Sequence, residues 1–227
     1  MNPFFPATTG RPSRFGGAAA LVAGAALALG SGAASALETT FVGYTDGCFG
    51  LACVPLGAPG PQSLALGSTG LTYINSTFDA TTSGGFLSLG STAGATPAAN
   101  FNNLGSFVLT GAPLDYVGNA FDLLVTFTAP PGTTPGTALF ADLISGSVTT
   151  TDVGGVFVNF DNTPKHFTFT GGSFDFFVND VSLTAGHKIA VSGTILSQVT
   201  AVPEPETYAL LVAGLAAVGF MARRRKT

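Results

Sequence analysis

Apolar and polar positions alternate in short stretches along most of this chain. The alternation is clearest at Phe121, Leu123, Val125 and Phe127, which place four apolar side chains on one face of a strand. Comparable β-prone stretches recur at 39–44, 71–78, 86–89, 106–110, 120–128, 139–149, 153–160, 167–170, 174–183 and 189–199. Gly, Pro, Asn, Asp and Ser separate them, and the stretch from 37 to 201 shows no sustained helical period. Many short strands between turn signals predict an all-β domain, an antiparallel β-sandwich or a jelly roll. No fixed repeat period argues for a solenoid.

Local irregularities refine this reading. The apolar face of Phe174, Phe176 and Val178 shifts phase to Val181 and Leu183, so Asn179-Asp180 predicts a bulge or a tight turn. Gly171-Gly172 predicts a hairpin loop. Phe157 and Phe160 fall out of phase, which predicts a strand that is bent or buried on both sides. Residues 56–103 are rich in Gly, Ala, Pro, Ser and Thr and predict a loop-heavy stretch. Most of the 20 phenylalanines are expected in the core, since Phe has no polar tip.

The two ends break the pattern. Arg11 and Arg14 precede an apolar run from Ala18 to Leu29, followed by Ala34-Ser35-Ala36. A positive leader, a short apolar stretch and an A-x-A site predict a signal peptide over 1–36, cleaved by signal peptidase at Ala34 and Ala36. At the other end, Val202-Pro203-Glu204-Pro205 leads into an apolar run and then Arg223, Arg224, Arg225 and Lys226. The prolines set a stiff, extended junction, and the apolar run predicts a transmembrane helix over 207–222. The basic cluster would stay in the cytoplasm. The predicted layout is therefore a signal peptide (1–36), a β-rich extracytoplasmic domain (37–201) and a C-terminal tail (202–227).

The tail, with Pro203-Glu204-Pro205, an apolar helix and an Arg-rich end in that order, resembles the PEP-CTERM sorting signal. Proteins of that family occur in Gram-negative bacteria that make exopolysaccharide. The resemblance implies recognition by exosortase, a membrane cysteine protease. It also implies a precursor held in the inner membrane with its body in the periplasm, then a form on the cell surface or in the extracellular matrix. It covers only the tail and implies nothing about what the body does.

Charge narrows the partners. Charged residues make up 9% of the chain, against about 25% in typical proteins. The body has ten acidic residues but only Lys165 and Lys188 as basic ones, a net charge of −8. Such a surface repels nucleic acid and anionic lipid.

Little in the body points to chemistry. Cys48 and Cys53 are the only cysteines, and in an exported chain they predict a local disulfide rather than a metal site. His166 and His187 are the only histidines, and neither sits in a nucleophilic motif; His187 reads as a turn residue. The aspartates are scattered and read as turn formers, with no calcium-loop pattern. Asn75-Ser76-Thr77 fits a glycosylation sequon by chance. No catalytic residue, metal ligand or cofactor is expected. The function expected is that of a non-enzymatic surface or matrix protein associated with exopolysaccharide or the envelope. The alternative is a carbohydrate-binding module, weakened by the absence of Trp and by only Tyr44, Tyr73 and Tyr116 in the body. A secreted hydrolase is the third reading.

Overall fold

The computed structural model describes residues 38–51, 53–57, 60–111, 113–199 and 205–224. The alternation at 121–127 decides the centre of the fold. It belongs to β8 (Asn119–Ala129), which pairs on one side with β1 (Thr40–Phe49) and on the other with β9 (Thr137–Thr150). The sheet continues from β9 to β10 (Val153–Val158) and β13 (Val181–Thr184), and from β1 to β4 (Thr77–Thr81). The two-residue β7 (Leu114–Asp115) also joins β9, completing seven strands.

Two smaller sheets complete the body. One runs β11 (Lys165–Phe169), β12 (Gly172–Val178), β15 (Gly193–Val199) and β5 (Phe86–Leu89). The other runs β14 (Lys188–Ala190), β6 (Ser106–Leu109), β3 (Leu71–Ile74) and β2 (Ser63–Ala65). Among the described residues all twelve strand pairings are antiparallel, consistent with the all-β expectation.

Strand β8 ties the large sheet to both small ones. Phe127 touches Phe167, Phe174 and Phe176 of the β11–β12 hairpin at ring-centroid distances of 5.0–5.3 Å. Phe121, six residues earlier on the same face, touches Tyr73 and Phe107 of the β3–β6 pair, both at 4.9 Å. Full burial of each such ring contributes about 1.5–3 kcal/mol, and favourable ring pairs add about 0.5–1.5 kcal/mol. Close approach is helped by Gly47 on β1, where a Cβ would lie 2.8 Å from both the Phe121 and the Tyr73 ring.

Several expected strands prove to be two. The stretch 71–78 breaks at Asn75-Ser76 into β3 and β4, which lie in different sheets. The stretch 174–183 breaks at Asn179-Asp180 for the same reason, so the phase shift there marks a change of sheet. The stretch 189–199 divides into β14 and β15. Phe157 is not buried on either side: it points out of the large sheet, 54% exposed, while Phe160 lies past the strand end in the core. The hairpin expected at Gly171-Gly172 forms, with Phe169 paired to Gly172 and Gly171 at φ 100°, a conformation that suits glycine.

The tail forms helix α1 (Pro205–Arg224). Leu210, Leu211, Val212, Leu215, Val218 and Phe220 on it are exposed. Among the described residues no helix is long and apolar enough to cross a membrane. The transmembrane helix expected over 207–222 is therefore not supported as a crossing.

Candidate functional site

The outer face of β1 carries Tyr44, Asp46 and Cys48 at alternate positions, and the chain after Phe49 folds back over them. Cys48 and Cys53 form a disulfide, with Cα atoms 6.0 Å apart, which turns the chain immediately. Asp46, 1% exposed, then ties down the returning segment. Its Oδ1 accepts the Gly47 N–H and its Oδ2 accepts the Gly57 N–H, both at 2.8 Å. The Tyr44 hydroxyl donates to the Gly57 carbonyl at 2.8 Å. Asn75 fastens the next segment: its amide donates to the Gly60 carbonyl at 2.5 Å, and its Oδ1 accepts the Gln62 N–H at 2.7 Å. This returning segment is one wall of a cleft of about 330 Å³.

The opposite wall is the segment around Phe101, and buried amides build it. The Asn100 amide donates to the Ile74 and Asn75 carbonyls at 3.0 and 3.2 Å and to Ser106 Oγ at 2.9 Å. Asn102 takes a left-handed conformation at φ 56°, which Asn tolerates better than most residues. That places its N–H on the Thr77 carbonyl at 2.9 Å and its side-chain oxygen on the Asp79 N–H at 2.8 Å. The Ser91 hydroxyl donates to the Phe101 carbonyl. Asn100 and Asn103 are almost wholly buried, yet the Phe101 ring between them is 50% exposed. The cleft is thus bounded by Tyr44, Pro61, Ser76, Thr77 and Phe101, and among the described residues no Asp, Glu, Lys, Arg or His lines it.

The expected site residues separate clearly. The Cys48–Cys53 disulfide is present. Asp122 lies beside it, and the ligand atoms of the three residues fall within 4.8 Å of one another, but sulfurs bonded to each other offer no thiolate to a metal. His166 Nδ1 lies 2.7 Å from Asp175 Oδ1 on neighbouring strands at an exposed position. Among the described residues, no serine or cysteine is hydrogen-bonded to that histidine. His187 lies in the turn between β13 and β14, as expected. Asp161 and Asp115 are turn formers: each accepts the N–H two residues on, Thr163 at 3.0 Å and Val117 at 2.9 Å. The sequon Asn75 is 3% exposed with its amide engaged.

Sequence reasoning passed over Asp46, Asn100 and Phe101. Asp46 read as one more scattered aspartate, and Phe101 as one more core phenylalanine. A faint signal was present in Asn100-Phe101-Asn102-Asn103, where a lone Phe sits among three amides.

In the tail, Pro205, Arg223 and Arg224 fall on α1. Val202, Pro203, Glu204, Arg225 and Lys226 lie outside the described residues, as do the signal-peptide positions Ala34 and Ala36. No curated protein and no solved structure matches the chain. A family model does match its end: residues 201–226 fit the PEP-CTERM protein-sorting motif. The three-part tail of proline junction, apolar helix and basic end is therefore a PEP-CTERM sorting motif, which marks an exported protein and implies exosortase as its processing partner.

Proposed function

We propose that this chain is a non-enzymatic protein of the cell surface or extracellular matrix, associated with exopolysaccharide or the envelope. The sorting motif at 201–226 is the observation that carries the reading. Signal peptidase and the secretion machinery deliver the body across the inner membrane, and the tail holds the precursor there until exosortase cleaves it. Two features of α1 support that holding role: its exposed apolar side chains and the arginines of its last turn. The disulfide in the body suits an oxidising compartment.

The non-enzymatic reading draws on the body. Among the described residues no serine or cysteine is hydrogen-bonded to His166, and the carboxylates at Asp161 and Asp115 are used in turns. N-terminal sequencing of the exported form tests the first step. It should begin at Leu37; a surface form that retains Met1 would refute export by this leader.

A second reading, a carbohydrate-binding module, gains from one observation. The cleft between Tyr44 and Phe101 offers two aromatic rings, with no charge in its lining among the described residues.

A further inference from the structure

We propose that the cleft between Tyr44 and Phe101 binds a neutral glycan, with one or two sugar rings seated against the exposed Phe101 ring. The proposal rests on the carbohydrate-binding reading above and assigns it a place and a ligand class.

The first reason is the contrast between Phe101 and its backbone. A phenylalanine left half exposed on a loose loop would be unremarkable. This one sits on a segment fastened from every side. Thr77 accepts the N–H of Asn102 and pairs in a parallel bridge with Phe101, Ser91 holds the Phe101 carbonyl, and the buried amides of Asn100 and Asn103 knit the chain before and after it. The ring is therefore presented on a rigid platform, which lowers the ordering cost of binding. Rigid aromatic faces suit sugars, whose C–H groups lie against the electron-rich face of a ring.

The second reason is the chemistry of the rest of the lining. Tyr44 supplies another ring, fixed by its hydroxyl on the Gly57 carbonyl, and its oxygen retains acceptor capacity. Thr77, exposed beside Phe101, adds a hydroxyl-bearing side chain to the lining, whereas Ser76 is buried with its hydroxyl donated to the Thr77 carbonyl. Mixed ring faces and hydroxyls match a polyol. The uncharged lining does not match a polyanion, and the body's charge of −8 repels one.

The third reason is size. A cleft of about 330 Å³ is at the small end of ligand pockets, suited to a ring or two of a polymer that continues into solvent.

The test is calorimetric titration of the full chain in detergent. The probes are cellotetraose, mannotetraose and galactotetraose as neutral ligands and polygalacturonate as the anionic comparator. At least one neutral tetrasaccharide should bind. Phe101→Ala should weaken that binding tenfold or more without moving the denaturation midpoint, and Phe101→Trp should preserve it. Phe157→Ala, at an exposed ring on the large sheet, should change nothing. If a neutral tetrasaccharide binds equally well to Phe101→Ala, the cleft assignment falls while the carbohydrate reading stands. If none of the neutral probes binds, both fall. Binding of polygalacturonate alone would overturn the ligand class.

Discussion

The Asp46 carboxylate accepts the Gly57 N–H at 2.8 Å, eleven residues along the chain and across the disulfide loop. Asp46 is 1% exposed and the bond is part-buried, so an unmet donor there carries a cost. It joins the core strand β1 to the segment that walls the cleft. Asp46→Ala leaves the Gly47 and Gly57 N–H groups without their partner and should cost about 1–3 kcal/mol. Amide exchange at Gly57 should accelerate strongly in that variant. Unchanged protection at Gly57 would show that the carboxylate does not hold the loop.

The disulfide acts on the same loop by a different route. Closing a ring this short stabilises by about 2 kcal/mol in the chain-entropy model. Exported, non-reduced protein should contain no alkylatable thiol. Replacing both Cys48 and Cys53 by Ser should loosen residues 44–55 in hydrogen exchange while amides of β8 and β12 keep their protection. Global unfolding of the double variant would mean that the loop contributes far more than its size suggests.

Asp142 gives the fold a pH dependence. It occupies an inward position on β9 opposite Phe121, and its Oδ2 is buried with no hydrogen-bond partner. Burial raises its carboxyl above the ordinary 3.8; the Leu143 N–H bond opposes this, and the charges of Asp180 and Asp161 add to the rise. The folded chain therefore holds this proton more tightly than the unfolded chain does. The stabilisation is complete below the unfolded pKa and is lost as pH rises through the folded one. Asp142→Asn removes the buried charge, so it should raise stability at neutral pH relative to the parent. It should also flatten the decline in urea midpoint that the parent shows as pH rises above the ordinary carboxylate range. A variant less stable than the parent at neutral pH would contradict this.

These residues also show what could be read from the chain alone. Strand β8 was legible because Phe121, Leu123, Val125 and Phe127 all face one core, and alternation is a local signal. The break at Asn75-Ser76 was not, because its cause lies elsewhere in sequence. Ser76 bonds to Thr45 Oγ1, and Asn75 to Gly60 and Gln62. Polar groups satisfied over long range look like turn residues in sequence. Phe101 was illegible for the opposite reason, since a Phe in an apolar-rich chain reads as core until the buried asparagines around it are seen. The tail was read almost whole, because a sorting signal is local in sequence by its nature. Its helix formed as expected, whereas a membrane crossing was not supported by it.

The tail separates two physical accounts. An ordinary anchor needs only an apolar segment and flanking charge, and Pro203-Glu204-Pro205 could be replaced without consequence. A sorting signal needs those residues in a protease active site, which takes an extended, proline-stiffened strand of low entropy. Replacing Glu204 and both prolines by alanine should therefore leave a longer precursor retained in the membrane. Deleting residues 223–226 should impair processing even though the PEP residues remain. Intact-mass measurement of the surface-exposed protein tests this most directly. The account predicts a mature chain that lacks everything after the PEP region, and an alanine variant that keeps it. A surface form that still carries Thr227, with the alanine variant indistinguishable from it, would show that the tail is only an anchor.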